Sequence, residues 1–540
     1  MNNSYDVLIM GGGLSGLTLA IQLKRKLKDL RILIIEKATH PAPDAAHKVG
    51  ESSVEIASHY FEHVLGLQAQ LENELPKLGL RFFYSNGNNH DIAQRIELGP
   101  NKLPTAKSYQ LDRGLFETAL AKHCLILGID FQDNCKIKAI QIAKENHSLT
   151  VEHEGQQQFV TGKWLVDASG RVGLLKRELK LAKPAYHDVN ASWFRINADI
   201  NIDSWSDDKV WQMRVTEPRR LSTNHLMGHG YWVWLIPLSS GSTSIGIVAD
   251  AKIHPYAEIN TFARAQQWLK KYEPQCAAMI EEQLEHFQDF LTLKHYSHNC
   301  KQMYSADGWA ITGDAGVFLD PFYSPGSDFI ALNNTIITDL ITRYFQSEDI
   351  VDLTTHYEKL FRTLFLAFSP VYEDQYVIMS NAKVMSIKMI WDYTLYWSGA
   401  ALLFFRDKFC DQEFMGQALS LMQQIYHLNR HMQNFLRQWS QVDIRIDKES
   451  KLFINYSNIS FLQQLHDDLM KEQTDDQTMQ QLVKNINLIE ALSSEISHYA
   501  TGLCPELKEH NPPVIQENIS GHLTDVFEQF KRKYSDPLNL

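Results

Sequence analysis

Apolar residues recur with two different periods along the chain, and the change between them divides it. Alternating, strand-like runs such as Ser192 to Ala198 and Ser242 to Val248 lie in the first 300 residues. From Asn334 onward helical spacing dominates, and helices are predicted at 336–345, 353–368, 414–439 and 461–499. The pattern therefore predicts an α/β protein with a mostly β segment before residue 300 and a helical C-terminal region.

The first forty residues predict a βαβ unit. A strand-like run from Tyr5 to Met10 precedes a predicted helix, Leu14 to Leu30, and a second strand at 31–35. The turn between strand and helix carries G-x-G-x-x-G, formed by Gly11, Gly13 and Gly16. Such glycines let the backbone approach a pyrophosphate at the helix N-terminus, and an acidic residue after the second strand, here Glu36, holds ribose hydroxyls. The unit predicts dinucleotide binding.

Two indoles one residue apart mark a later strand. Trp232-Val233-Trp234-Leu235-Ile236-Pro237 places both rings on one face of an extended chain, and Pro237 ends the ladder pairing. The rings predict a rigid aromatic wall suited to a flavin or an aromatic substrate. Taken alone, the hexapeptide is explained equally well by a sheet core that uses Trp for bulk.

Composition narrows the class of protein. The 540 residues predict two or three domains, and a net charge of -12 gives no electrostatic footprint for nucleic acid. The six cysteines contain no C-x-x-C pair, and His427 and His431 lack an acidic or cysteine partner nearby in the sequence, so no metal site is predicted. A reduced, cytoplasmic protein is expected.

The most apolar stretch, Tyr393 to Phe405, is 13 residues long, whereas a membrane-spanning helix needs about 20. No export signal is found at the N-terminus. The stretch therefore predicts a buried helix, or the apolar wall of a pocket for a lipid-like substrate, and no stable membrane span is expected.

Three later turns indicate whether the dinucleotide is FAD or NAD. They lie at 109–116, 166–170 and 313–316, and each alone is explained by a capped turn. In order and spacing they resemble the flavin contacts of FAD monooxygenases of the p-hydroxybenzoate hydroxylase fold. The resemblance implies FAD as the cofactor, with Arg113 and Asp314 in contact with it. It also implies a helix after Gly316 whose N-terminus faces the flavin.

Three further motifs resemble flavin-dependent halogenases. These are W-x-W-x-I-P at 232–237, F-x-x-P-x-x-S-x-G at 318–326, and a G-E-S stretch at 50–52. In that family reduced FAD and O2 form a hydroperoxide, chloride or bromide attacks it, and hypohalous acid passes through a tunnel to a lysine. Lys77, in a K-x-G-x-x-F setting, resembles that lysine in members that act on phenols and pyrroles. Most lysines are simply surface residues, which is the alternative for Lys77.

The resemblance assigns the remaining site residues. It implies cofactor contacts at Lys48, Glu51 and Gly326, halide contacts at Ser324 and Gly326, and a substrate or tunnel wall formed by Trp232, Trp234, Pro237 and Tyr323. Two positions depart from the family. Tyr323 replaces the glutamate of tryptophan halogenases, which favours a phenol or pyrrole over free tryptophan. Pro325 has no N–H to offer a halide, which puts halogenation itself in doubt.

The predicted domains are an FAD-binding domain at 1–184 and 301–345, an inserted mostly β substrate domain at 185–300, and a helical C-terminal domain at 346–540. The sequence predicts a halogenase or closely related flavin monooxygenase that acts on an electron-rich aromatic or polyketide-like substrate, free or carrier-bound, and is served by a separate flavin reductase. One alternative is an NAD(P)H-dependent FAD hydroxylase without halide chemistry. Another is a flavin-binding protein whose chemistry has lapsed.

Overall fold

The structure, a computed structural model, describes residues 4–43, 49–185, 187–443, 452–510 and 521–534. Its strands in chain order are β1 Ser4–Met10, β2 Ile32–Ile35, β3 Leu75–Pro76, β4 Leu80–Tyr84, β5 Ile96–Gly99, β6 Tyr109–Gln110, β7 Asp130–Gln132, β8 Cys135–Gln141, β9 His147–His153, β10 Gln156–Asp167, β11 Ala182–Lys183, β12 Val189–Ile196, β13 Thr223–Gly228, β14 Tyr231–Pro237, β15 Thr243–Asp250, β16 Phe287–Leu293, β17 Asn299–Cys300, β18 Tyr304–Ser305, β19 Trp309–Ile311 and β20 Phe453–Asn455.

The helices alternate with these strands at first and then follow one another. They are α1 Leu14–Lys26, α2 Glu55–His59, α3 Gln68–Leu71, α4 Arg113–Ile126, α5 Leu174–Glu178, α6 Lys209–Met213, α7 Phe262–Tyr272, α8 Pro274–Glu281, α9 Gly326–Phe345, α10 Val351–Phe368, α11 Ala382–Leu395, α12 Leu402–Phe405, α13 Gln412–Val442, α14 Ser460–Leu469, α15 Asp475–Leu503 and α16 Thr524–Tyr534. A π-helical turn, Tyr396–Ala401, joins α11 to α12. The predicted α/β class is confirmed.

The first sheet has the strand order β18-β19-β10-β1-β2-β7 and is extended by the β8–β9 hairpin. Strand β1 lies parallel to both β2 and β10, and β10 lies parallel to β19. The predicted βαβ unit is confirmed, although its helix ends at Lys26 rather than Leu30. Because parallel strands end at the same edge, the turns after β1, β2, β10 and β19 meet there.

The second sheet has the order β16-β12-β15-β14-β13-β4-β5-β20 and is mostly antiparallel. Strand β14 carries the two tryptophans and lies between β13 and β15, where Pro237 pairs with Thr243 at the end of the ladder. Strands β4, β5 and β20 come from outside the segment 185–300. The sheet therefore combines the predicted substrate domain with strands from the segments on both sides of it.

The C-terminal helices differ from the prediction in two places. The segment predicted as one helix at 461–499 is two helices, because a capping box at Thr474 and Gln477 begins α15 anew. The first helix after Gly316 begins only at Gly326, because residues 316–325 are irregular. The stretch from Tyr393 to Phe405 is helical and largely buried. In the described residues, no helix is long and apolar enough to cross a membrane.

Candidate active site

A cavity of about 950 Å³ opens where the parallel strands of the first sheet end. It runs from the glycine turn after β1 to the tryptophans of β14, and we call it the large cavity. Gly11 and Gly13 line it. Gly11 has a φ of +121°, and a Cβ there would lie 2.2 Å from the carbonyl oxygen of Ala168. A Cβ on Gly16 would lie 2.1 Å from the carbonyl oxygen of Gly11, so only glycine allows helix α1 to start this close.

The N-terminus of α1 is open towards the large cavity. No side chain caps the helix, and its first turn contains no acidic residue. Its first N–H groups are therefore left for an anion. Beside it, Glu36 accepts hydrogen bonds from the N–H of Gly12 at 2.6 Å and of Ala38 at 2.8 Å. This arrangement fits the pyrophosphate and ribose of a dinucleotide.

Arg113 and Asp314 both line the large cavity. Arg113 begins α4 and donates to Glu117 at 2.9 Å and to the carbonyl of Val49 at 2.9 Å. Burial lowers the pKa of Arg113 to about 10. Burial also raises the pKa of Asp314, against the attraction of Arg171 and Arg113. Among the described residues, no N–H or O–H group donates to the Asp314 carboxylate, which can accept a hydrogen bond from a ligand hydroxyl.

Glu51 is a buried member of an ion-pair network. Its carboxylate accepts from Arg195 Nε at 2.8 Å, and Arg195 also donates to Asp289 at 2.6 Å. The network connects the segment after the βαβ unit to strands β12 and β16, and Glu51 lines the large cavity. Lys48, the neighbouring predicted cofactor contact, lies outside the described residues.

The paired tryptophans form part of the cavity wall. Trp232 and Trp234 are each 2% exposed, and their ring centroids are 5.7 Å apart. The Trp232 indole donates to Tyr376 Oη at 2.9 Å, and Tyr376 in turn donates to Asp320 at 2.7 Å. The two rings share one face, as predicted. Pro237 ends the strand and is not a lining residue; Ile236 lines the cavity instead.

The segment 323–326 separates two cavities. Ser324 and Gly326 line the large cavity, whereas Tyr323 and Pro325 line a cavity of about 110 Å³ among the C-terminal helices, which we call the helix cavity. Tyr323 and Ser324 have φ values of +67° and +61°. Consecutive left-handed residues that are not glycine are strained. The turn is therefore held by its surroundings.

The turn changes which amides can hold a halide. The N–H of Ser324 donates to the carbonyl of Pro321 at 2.9 Å, so it is already engaged. Helix α9 begins at Gly326, and no side chain caps its N-terminus. The N–H groups of Gly326 and Ser327 therefore lack helical partners, and both residues line the large cavity. Ser327, rather than Ser324, completes the candidate anion site.

Lys77 is buried, with 1% of its surface exposed. Its ammonium donates to Ser52 Oγ and to the carbonyl of Ser53, both at 2.8 Å. Ser52 lines the large cavity and shares a 2.8 Å hydrogen bond with Thr223, another lining residue. Lys77 itself lines a separate cavity of about 60 Å³, which we call the lysine cavity. Two hydroxyl groups therefore connect Lys77 to the large cavity.

Two carboxylates near Lys77 were not identified from the sequence. Glu55 begins α2, and Asp328 lies in the first turn of α9. Burial lowers the pKa of Lys77 to about 7, against the attraction of both. Burial also raises the pKa of Asp328 to about 7. For Glu55 burial acts to raise the pKa, but His466, 3.4 Å away, together with a backbone hydrogen bond and the charge of Lys77, leaves the pKa below its usual value.

Tyr323 is anchored to the C-terminal helices by a buried charge network. Its hydroxyl donates to Asp392 at 2.9 Å, and Asp392 also accepts from Lys388 at 2.6 Å and Gln433 at 2.6 Å. Lys388 and Asp392 stand one turn apart on α11, with side-chain exposures of 0% and 4%. The sequence analysis did not identify this network, although a lysine and an aspartate four residues apart in an apolar stretch are a signal that could have revealed it. It holds the strained turn in place.

We expect Asp392→Ala to lower the free energy of unfolding by about 3–5 kcal/mol, because it leaves Lys388 as an uncompensated buried charge. The double variant Lys388→Met/Asp392→Leu should lose less, since it removes both charges. Denaturant titration of the purified protein measures the difference. As a matched control, Glu281→Ala breaks the exposed Lys270 pair and should change stability by less than about 1 kcal/mol. Equal losses in the single and double variants would contradict the electrostatic explanation.

Comparisons with known proteins agree that the glycine turn and the large cavity beside it form an FAD-binding site. A family model described as an FAD binding domain matches residues 4–305, more than half of the chain. The flavin-dependent halogenase chlA of Dictyostelium discoideum is 28% identical over 73% of this chain and 70% of its own length. A 1H-pyrrole-2-carbonyl-[peptidyl-carrier protein] chlorinase of Pseudomonas fluorescens is 26% identical over 67% of this chain and 81% of its own.

Solved structures share the fold. Halogenase PltM in complex with phloroglucinol and FAD superposes with a TM-score of 0.60 at 16% identity, covering 96% of this chain and 99% of its own. The glycine turn after β1, the uncapped N-terminus of α1 and the two sheets, together with the family match, identify a flavin-dependent oxidoreductase. The chain belongs to the FAD binding domain family, and the two relatives named above are a flavin-dependent halogenase and a carrier-protein chlorinase.

Proposed function

We propose that this protein halogenates an electron-rich aromatic ring, a phenol or a pyrrole, with FAD in the large cavity and Lys77 beside the substrate. The observation that carries the proposal is the position of Lys77. It is buried, it faces a cavity of its own, and it reaches the large cavity through the hydroxyl of Ser52. A surface lysine, or one without a route to the cofactor, would instead favour lapsed chemistry.

The residues of the large cavity fit FAD. Gly11, Gly13 and Gly16 would leave room for the pyrophosphate, Glu36 would hold the ribose, and Arg113 and Asp314 would contact the flavin end of the cofactor. Glu51 supports the wall through Arg195. When bound in its reduced form, FAD supplies from O2 the oxidising equivalents that convert halide to hypohalous acid. The amides of Gly326 and Ser327 hold the halide, so the missing N–H of Pro325 does not abolish the anion site.

Trp232 and Trp234 separate the cofactor from the substrate. As packed, hydrogen-bonded rings they keep an aromatic substrate away from the flavin, while small species move towards Lys77. The Lys77 ammonium donates a hydrogen bond to the oxygen of hypohalous acid. As the ring carbon bonds to the halogen and the halogen–oxygen bond breaks, the departing oxygen takes a proton from Lys77 and leaves as water. The ring then loses its C–H proton to a base.

Two relatives support the choice of substrate. One acts on a pyrrole bound to a carrier protein, and a solved structure of the same fold holds phloroglucinol, a phenol. Phenols and pyrroles are activated by their own ring donor. Tyr323 at the position of the tryptophan halogenases' glutamate is consistent with such a substrate, free or carrier-bound. The reduced cofactor is supplied by a separate flavin reductase.

Turnover with FAD, a flavin reductase, NADH, O2 and bromide tests the proposal. We expect bromination of a generic phenolic trap and of simple phenols, with product detected by mass spectrometry, and no product when bromide is omitted. Catalase in the assay excludes bromination by free peroxide. Steady O2 consumption without any brominated product would overturn halogenation. Hydroxylation of the phenol with NADPH and no reductase would favour the hydroxylase alternative.

A further inference from the structure

The helix cavity lies directly beside the lysine cavity. Four residues line both, namely Val54, Glu55, Leu80 and Tyr393. The helix cavity continues from these shared walls between helices α9, α10, α11 and α13. The two cavities are therefore separated only by side chains that face both of them.

The helix cavity has polar groups at the end beside the lysine cavity, and its remaining wall is mostly apolar apart from groups such as Asp392 and Asn429. Near the lysine cavity lie Glu55, Asp328 and Tyr396, whose hydroxyl donates to Asp328 at 2.7 Å. Much of the remaining wall is carbon, supplied by aromatic and aliphatic side chains such as Phe329, Leu364, Phe368, Val371, Met422 and Ile425. Apolar cavities of about 150 Å³ stay dry and take up apolar molecules such as benzene. A cavity of about 110 Å³ with this lining fits an apolar occupant.

The wall formed by the π-helical turn is made of small residues. Gly399 and Ala400 line the helix cavity within this turn. A Cβ on Gly399 would lie 3.8 Å from Ile425 Cδ1 and 3.9 Å from Met422 Cε, at ordinary contact distance. A larger side chain at 399 would therefore extend into the cavity. π-helical turns are frequent at functional sites, which agrees with a binding role for this wall.

We propose that the helix cavity binds the hydrocarbon chain of the substrate, so that the substrate is a phenol with an attached alkyl or acyl chain of several carbons. This inference rests on the proposed function only for the position of the ring. The ring occupies the lysine cavity, and its hydroxyl donates to the carboxylate of Glu55, which faces both cavities. The chain then passes Tyr393 and lies between α9 and α13. An amphiphilic phenol matches both the polar and the apolar end.

Binding to the FAD-loaded protein tests the inference without requiring turnover. The probes are 1,3-dihydroxybenzenes with acyl chains of two to eight carbons, and isothermal titration calorimetry gives their Kd. For the wild type we expect affinity to rise about fourfold for each added methylene until the cavity is full. Gly399→Leu should bind the two-carbon probe as the wild type does and show no gain with longer chains.

Gly416→Leu is the matched control, because it makes the same change on α13 at an exposed glycine with no atom within 4 Å of the added Cβ. It should keep the wild-type dependence on chain length. A wild-type affinity that does not change with chain length would overturn the inference, as would a Gly399→Leu protein that keeps the full dependence. If Gly399→Leu does not fold, Ala400→Leu tests the same wall. Bromination assays remain separate, so failed turnover with chain-dependent binding would contradict only the proposed reaction.

Discussion

Replacing Lys77 with alanine is expected to lower kcat for bromination by about a thousandfold or more, while reduced FAD is still reoxidised at the wild-type rate. The ammonium is the only group in the proposed reaction that donates a proton to the departing oxygen, and loss of a positioned acid costs roughly 10²–10⁴-fold. Brominated product by mass spectrometry and flavin reoxidation at 450 nm measure the two rates in one reaction. We therefore expect Lys77→Ala to lose bromination while the reaction of reduced FAD with O2 continues at the wild-type rate.

Two variants control the Lys77 result. Lys77→Met keeps the length of the buried side chain without its charge, and it should be as inactive as Lys77→Ala. Lys102→Ala removes an exposed lysine that also lines the lysine cavity, and this variant should keep full activity. Retention of more than a tenth of wild-type bromination by both Lys77 variants would exclude this lysine from the chemistry.

The second large effect is expected at the glycine turn. Gly16→Ala should weaken FAD binding by up to about 100-fold, because the new Cβ would lie 2.1 Å from the carbonyl of Gly11 and must move the backbone that faces the pyrophosphate. Flavin retained after purification and a fluorescence titration of the apoprotein measure the change. Thermal unfolding of the apoprotein shows whether the fold is kept.

Gly155→Ala is the control for Gly16→Ala. Gly155 has a φ of +77° in the turn between β9 and β10, with no atom within 4 Å of an added Cβ. Alanine there adds backbone strain without a clash, so stability falls slightly and FAD binding stays unchanged. Normal FAD content in Gly16→Ala would show that the turn tolerates a methyl group and does not set the cofactor position.

The sequence predicted the elements whose pattern lies within a short stretch of chain. The βαβ unit, the tryptophan strand and most of the C-terminal helices follow from periodicity and glycine spacing within about 40 residues, and the structure has them. The break before α15 was missed because the segment reads as one amphipathic pattern, although the Thr474 and Gln477 pair is a recognisable start signal.

Contacts between distant segments were not predictable in this way. Glu55 and Asp328 come near Lys77 from α2 and α9, which are about 270 residues apart in the chain. The Ser324 amide was expected to face a halide, but the backbone folds back and uses it in the turn. Such details depend on φ values that a tyrosine and a serine rarely adopt, and no residue pattern encodes them.

The turn from Tyr323 to Gly326 is a single stretch of backbone with a different chamber on each side. Neighbouring residues face opposite chambers, and the whole turn is tied to α11 through Asp392. A mutation that reshapes one chamber at this point must also move the wall of the other. Engineers who wish to change the length of the substrate's hydrocarbon chain should leave this turn untouched and alter α10 and α13, which line the helix cavity and not the large cavity.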